Sequence, residues 1–447
     1  MYSGGAKVEP RDFDRINMPE NLLPVIRYSF YLFVFAIPFE TASTETVSII
    51  GSIPMIIGMA LTGAALLQPR VCFNTPPWAF WCFVGYFVLC LALGITENLD
   101  YLRFVLSRLF TFVQMLILMW ICFNIFRYPE IRRNALLTFV AACAALAILQ
   151  MVGIGTVSVG QGRSSLFGDN ANTSGATLSL GLIALVGIAY GRITIEKRVT
   201  LFAWTMFPII GTAIIMTGSR GALLGLVLGI ALLIIRDGTL KAKLKIVSIA
   251  VLAIGFLVLA ALSDDGMRMR LERSYYLGET AGRDKIHAHA WMMVFEKPML
   301  GWGPVYNVVE LGSRLGLSVR DTHSLYLSVL TETGLLGSIL FFGGLGLLVR
   351  AAWQARVRIE GALPMAMLSC LLIINLSGSW QYRKLFWLTA AYVLASAWTP
   401  RATACHGPIQ FPEPINVANY GAGTLASYPQ TTGVEPEGIS AQPERPT

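Results

Sequence analysis

Charge is scarce in this sequence. Asp, Glu, Lys and Arg make up 13% of its 447 residues, against 55% hydrophobic residues. A soluble domain carries about 25% charged residues, so the deficit excludes an ordinary water-soluble globule. Histidine is scarcer still. There are four, which limits imidazole chemistry to His287, His289, His323 and His406. Seven cysteines occur, and none lies between 263 and 323, where the longest polar connection falls. That connection is expected to hold neither a disulfide nor a thiolate metal site. No H-E-x-x-H, Walker loop or G-x-S-x-G occurs. The connections assigned below to the outer face also lack a D-x-D and any cluster of paired carboxylates. No metal and no cofactor is therefore expected. The short alternating segments of a membrane β-barrel are absent too.

Long apolar runs are what the sequence does contain. About twelve of them suit a hydrocarbon core about 30 Å thick. They lie near 24–41, 46–67, 76–95, 103–126, 134–154, 172–191, 199–217, 219–235, 244–262, 324–349, 361–379 and 384–399. The expected fold is an all-α polytopic membrane protein with one large outer loop at 263–323. The transmembrane domain covers 24–399, and spans seven and eight meet in the tight turn TGSRG. Residues 1–23 are mostly polar, and no cleavage-site pattern follows them, so the first span reads as a retained helix. Residues 400–447, rich in Pro, Gly, Ser and Thr, read as a disordered tail. No internal repeat is found.

Lys and Arg alternate between connections. One set is basic throughout: Lys7, Arg11, Arg15 and Arg27; Arg70; Arg127, Arg132 and Arg133; Arg192, Lys197 and Arg198; Arg236, Lys241, Lys243 and Lys245; Arg350, Arg356 and Arg358. The positive-inside rule makes this set cytoplasmic, both termini included. It also accounts for the net charge of +8 without nucleic acid. The other set faces outward: 157–170, the TGSRG turn, the loop 263–323 and 379–384.

Basic residues on the outer side are exceptions to that rule. Among them are Arg163, Arg220, Arg283, Arg320 and Arg383. A snorkelling arginine that reaches lipid phosphate is the ordinary explanation for one of them. Arg220 sits in a hairpin that leaves it little freedom to snorkel, which favours a functional role. Arg283 opens RDKIHAHAWMMVFEKP, where Ile286, Ala290, Met293 and Val294 recur at helical spacing. This predicts an amphipathic helix near the interface. His287 and His289 fall on different faces of it, which suits a structural or exposed pair better than a metal site. Gly301 and Gly303 read as a turn, with Trp302 as an interfacial anchor and a candidate contact for substrate. His323 stands where the outer loop ends and an apolar run begins, placed to act as a general base or to position an acceptor. Glu332, deeper in the same run, reads as a structural hydrogen-bonding group. Several arginines beside apolar walls suit a diphosphate lipid, because guanidinium forks grip phosphate oxygens without metal.

Four segments occur in order: GRSSLFGDNANTSGA, TGSRGALLG, GRDKIHAHAWMMVFEKPMLGWGP and DTHSLYLSVLTETGLLG. Together they resemble the O-antigen ligase and Wzy-like polymerase superfamily. The resemblance implies a metal-independent, GT-C-like membrane glycosyltransferase of the bacterial inner membrane with its active site on the periplasmic face. The implied donor is a glycan on undecaprenyl diphosphate, and the acceptor, in the ligase branch, is a sugar of lipid A–core. The family's functional arginines match Arg220 and Arg283, its loop-end histidine matches His323, and Arg163 sits in the matching G-R segment. Arg383 and Trp302 complete the expected substrate contacts. The single long outer loop favours a ligase over a polymerase, and the Pro-rich tail disfavours a protein O-oligosaccharyltransferase. A flippase for lipid-linked sugar is the non-enzymatic alternative, disfavoured because the key polar residues cluster on one face.

Overall fold

Apolar residues in unbroken runs leave the backbone nothing but itself to bond with, and a helix satisfies every interior N–H and C=O within one segment. The computed structural model bears this out over residues 22–40, 49–97, 101–158, 163–190, 197–233, 265–277 and 282–398, with isolated residues between 244 and 263. In chain order the helices are α1 (Pro24–Ala36), α2 (Ile49–Ala65), α3 (Trp78–Glu97), α4 (Leu102–Phe126), α5 (Pro129–Val152), α6 (Ala171–Tyr190) and α7 (Lys197–Met216). They continue as α8 (Arg220–Leu232), α9 (Asp265–Leu277), α10 (Arg283–Glu296), α11 (Tyr306–Arg314), α12 (Leu325–Ala355), α13 (Leu363–Ile374) and α14 (Lys384–Ala397). Each expected span coincides with a helix except the ninth, 244–262, which lies largely outside the described residues. Residues 1–21 and 400–447 lie outside them as well.

Among the described residues, five helices are long and apolar enough to cross a membrane: Trp78–Thr96, Leu102–Phe126, Pro129–Val152, Ala171–Ala189 and Leu325–Ala355. Shorter apolar helices accompany them, among them Arg220–Leu232, Leu363–Ile374 and Lys384–Ala397. The architecture is that of a helical multi-pass membrane protein. One departure from all-α is a small antiparallel hairpin of β1 (Thr156–Ser158) and β2 (Ser164–Leu166), with Thr156 opposite Leu166. Strands of three residues are too short to leave a period-two signal in the sequence.

Helix α12 is the axis of the packing. It lies against α3, α10, α13 and α14, with Phe341 edge-on to Phe83 at 5.3 Å and to Tyr86 at 5.0 Å. Helices α8 and α13 come still closer. A Cβ on Gly225 would sit 3.3 Å from the Cys370 carbonyl oxygen, and one on Gly229 3.2 Å from that of Ala366. Small residues one turn apart let two backbones approach in this way.

The α12 helix is broken in its middle. Gly334 has φ 59° and ψ −155°, which frees backbone groups in a buried stretch. The segment 298–303, just after α10, inserts there and takes them up. Trp302 N–H and Gly303 N–H donate to the carbonyls of Thr331 and Glu332 at 2.8 and 2.9 Å, while Leu335 N–H and Leu336 N–H donate to those of Pro298 and Met299 at 2.8 and 3.2 Å. Irregular backbone of this kind persists among apolar helices only when protein satisfies it. Gly301 therefore does more than turn the chain, because it is pressed against the broken helix.

Helix α10 buries Ile286, Ala290, Met293 and Val294, the four residues of the expected apolar stripe. Trp302 packs on the cluster of Ile286, Ala290, Met293, Leu311 and Leu327, and its indole N–H donates to the Met293 carbonyl at 2.9 Å. Trp302 thereby pins α10 and α11 to α12.

Candidate active site

A cavity of about 680 Å³ opens on one end of the helical bundle. Its wall comes from four connections: 157–173, the α7–α8 turn, 283 with 320–323, and the stretch after α13 up to Arg383. These are the four connections that Lys and Arg patterning groups on the outer side. Alternate helices of an up-and-down bundle start on the same face, so several N-termini meet here. Ala171 and Asn172 begin α6, Ser219 caps α8 by accepting from Ala222 N–H at 3.3 Å, Arg283 begins α10, His323 lies two residues before the start of α12, and Arg383 immediately precedes α14. Each such terminus carries about half a positive charge and unpaired N–H groups. Convergence of helix starts, added to the arginines, makes the cavity strongly attractive to a polyanion. The sequence carries this signal only through helix boundaries.

The structure brings Arg163, Arg283, Arg320, Arg383 and His323 into one wall. Two of the arginines are held by protein. Arg163 donates through Nε to the Thr217 carbonyl at 3.0 Å and through Nη2 to Asn172 Oδ1 at 2.8 Å. Arg383 pairs with the buried Asp169 at 3.1 Å and donates to the Glu40 carbonyl at 3.4 Å. Arg283 is half-buried and has no hydrogen-bond partner among the described residues. Burial, then repulsion from Arg220, lowers its basicity, although an arginine starts so high that it stays charged. Ser219 and Ala222 form the cavity wall, and Arg220, which lies between them in sequence, acts on Arg283 through its charge. Trp302 is not among the residues of this wall.

His323 has a backbone φ of 51°, a left-handed conformation that is uncommon outside glycine and is sustained by the surrounding structure. The constraint is local. Thr322 Oγ1 donates to the Ser324 carbonyl at 2.9 Å, and Leu325 N–H donates to the carbonyls of Asn375 and Gly378 at 2.9 and 2.8 Å. Burial lowers the His323 pKa. Asp321 opposes the shift, while Arg320, Arg283 and His287 add to it. His287, one turn beyond Arg283 on α10, has a buried Nε2 without a hydrogen-bond partner among the described residues. Its pKa is lowered by burial and by Arg283. The structure thus sets His287 near the arginines and His323, where the sequence suggested a structural or exposed residue.

Behind the wall lies Glu332, fully buried. Tyr382 donates its hydroxyl to Glu332 Oε1 at 3.1 Å, Arg108 Nη2 stands 3.6 Å from Oε2, and the Arg108 guanidinium lies 4.5 Å from the centre of the Tyr382 ring. Tyr382 precedes Arg383, so this cluster anchors the segment that delivers Arg383 to the cavity. Removing one partner of a buried ion pair strands the other, at a cost of about 3–5 kcal/mol. Glu332→Ala is expected to destabilise the protein by that order. Glu332→Gln, which keeps an acceptor for Tyr382, should cost less. Thermal unfolding in detergent checks this, and equal melting of the two variants would contradict it.

Among the described residues no group of three or more His, Cys, Asp or Glu is placed to hold a metal ion. Residues 201–342, from α7 through the first half of α12 and its break, match the sequence model of a known family, the O-antigen ligases. No curated protein matches the chain.

Proposed function

We propose, on the premise that residues 201–342 carry the chain into the O-antigen ligase superfamily, that it transfers a glycan from undecaprenyl diphosphate to a sugar hydroxyl of lipid A–core. The transfer is proposed to take place at the periplasmic face of the inner membrane. The observation that carries this reading is the cavity itself, where Arg283 and three further arginines meet converging helix starts with His323 at the rim. A diphosphate needs such donors most as it leaves, because charge then builds on the bridging oxygen.

The chemistry balances within these residues. His323 takes the proton of the acceptor hydroxyl. The acceptor oxygen forms its bond to the anomeric carbon as the bond from that carbon to the phosphate oxygen breaks. The electron pair leaves with undecaprenyl diphosphate, whose charge Arg283 and Arg220 stabilise. Arg163 and Arg383, fixed by their protein partners, shape the walls around the diphosphate. Arginines supply the positive charge in this scheme, so transfer should persist in EDTA.

The test uses purified protein in liposomes with undecaprenyl-diphosphate-linked glycan, lipid A–core and EDTA, followed by gel analysis of lipopolysaccharide. Higher-mass lipopolysaccharide supports the ligase. Lengthening of the donor without consumption of lipid A–core would make the protein a polymerase, and flipping of the donor without transfer would make it a transporter.

The pH dependence has a definite sign. The neutral imidazole is the base, and burial holds the His323 pKa below its ordinary value of about 6.5. The rate should therefore be flat through neutrality and fall as pH drops below that value, with a slope of one proton. The profile of kcat/KM measures this, and an acid limb that persists in the residual activity of His323→Ala would assign it to another group.

A further inference from the structure

We propose that Asp321 is the positioning residue for His323, engaging the Nδ1 edge of the imidazole so that Nε2 faces the acceptor hydroxyl. This rests on the transferase reading above. Asp321 Oδ2 lies 3.8 Å from His323 Nδ1, and Asp321, His323 and Ser379 all line the cavity. The other carboxylate oxygen, Oδ1, accepts from the Ser379 hydroxyl at 3.2 Å, so the carboxylate is oriented from the connection between α13 and α14. A base oriented by a third group through its far nitrogen is the general form of an activated hydroxyl site. The gap of 3.8 Å exceeds a hydrogen bond, as such contacts often do without substrate, and tightens in the loaded site.

The left-handed backbone at His323 has a role in this arrangement. It turns the side chain back toward a residue two positions earlier. Among the described residues, Asp321 is the carboxylate that shifts the His323 titration upward. Arg320 from the same segment and Arg283 and His287 from α10 all push it the other way. Arg163, Arg383 and Asp169 line the cavity further round, the last two paired with each other. Loss of the Asp321 charge therefore leaves His323 facing positive groups, which weakens it as a base and releases its tautomer.

The experiment follows diethylpyrocarbonate acylation of each histidine against pH, by peptide mass, in the full-length protein in detergent. In Asp321→Asn the midpoint for His323 should move to lower pH. Asp321→Glu should restore it. Glycan transfer by Asp321→Asn should lose about 100-fold in kcat, the lower end of a general-base contribution, with the KM for donor little changed, and Asp321→Glu should recover much of the loss. An unmoved His323 midpoint in Asp321→Asn overturns the proposal whether or not glycan is transferred. So does a loss that appears wholly in KM, which would make Asp321 a binding group for the acceptor. If the midpoint moves but wild-type protein transfers no glycan, the transferase reading falls instead.

Discussion

Arg283→Ala is expected to lower kcat for glycan transfer by about 10²–10³-fold, the usual effect of removing one preorganised donor from a developing charge. The expectation singles out Arg283 because two of its neighbours are already engaged. Arg163 spends donors on Thr217 and Asn172, and Arg383 on Asp169 and Glu40. Arg283 has no hydrogen-bond partner among the described residues and keeps its five N–H donors for substrate. It also sits at the start of α10, where the helix terminus adds its own positive end. Arg283→Lys keeps the charge and loses the planar fork, so it should recover only part of the rate. Steady-state kinetics with varied donor, beside circular dichroism and elution volume to confirm folding, provide the measurement. Activity of Arg283→Ala within about fivefold of wild type would be under 1 kcal/mol, too little for a phosphate ligand, and would move the diphosphate elsewhere in the cavity.

The position of these arginines was legible in the sequence because they break a rule. An arginine on the outer side opposes the positive-inside bias, and Arg163, Arg283, Arg320 and Arg383 do converge. The α10 stripe was legible for a similar reason, since its four apolar residues repeat at helical spacing and are the four that are buried. Pairings distant in the chain left no such trace. Nothing near Glu332 announces Arg108 or Tyr382, and the three meet only because α4, α12 and α14 pack together. Trp302 gave no hint of its partner, the Met293 carbonyl, because that contact depends on a backbone path that composition does not reveal. Asp321 carried a signal, two residues before the histidine. So did Gly221, Gly225 and Gly229, spaced every four residues on α8, whose Cβ positions would meet Ser377, Cys370 and Ala366.

Gly334→Ala and Gly301→Ala are expected to cost several kcal/mol each and to lower the yield of folded protein sharply. At Gly334 the backbone lies in a region open essentially to glycine alone, worth about 1–3 kcal/mol of strain to any other residue. The added Cβ would also stand 2.5 Å from the Met299 carbonyl carbon, which is backbone and has no rotamer to yield. At Gly301, with φ 69°, it would stand 2.7 Å from the backbone of Glu332 and Thr333. Relief of either clash means drawing segment 298–303 away from α12. Four backbone hydrogen bonds hold that seam, each worth about 0.5–1.5 kcal/mol net and none replaceable by water among apolar helices. Helix α12 supplies its own control. A Cβ on Gly343 or Gly346 meets nothing within 4 Å, so alanine there should be neutral or stabilising by up to about 1 kcal/mol through helix propensity. Thermal unfolding of the four variants in one detergent separates the two classes, and equal melting across them would mean that the break at Gly334 is not a structural requirement. Any Gly334→Ala protein that does fold should transfer poorly as well. The seam is what fixes α10, which carries Arg283, to α12, which His323 precedes, and a phosphate ligand displaced by about 1 Å from its base can cost about 10²-fold in rate.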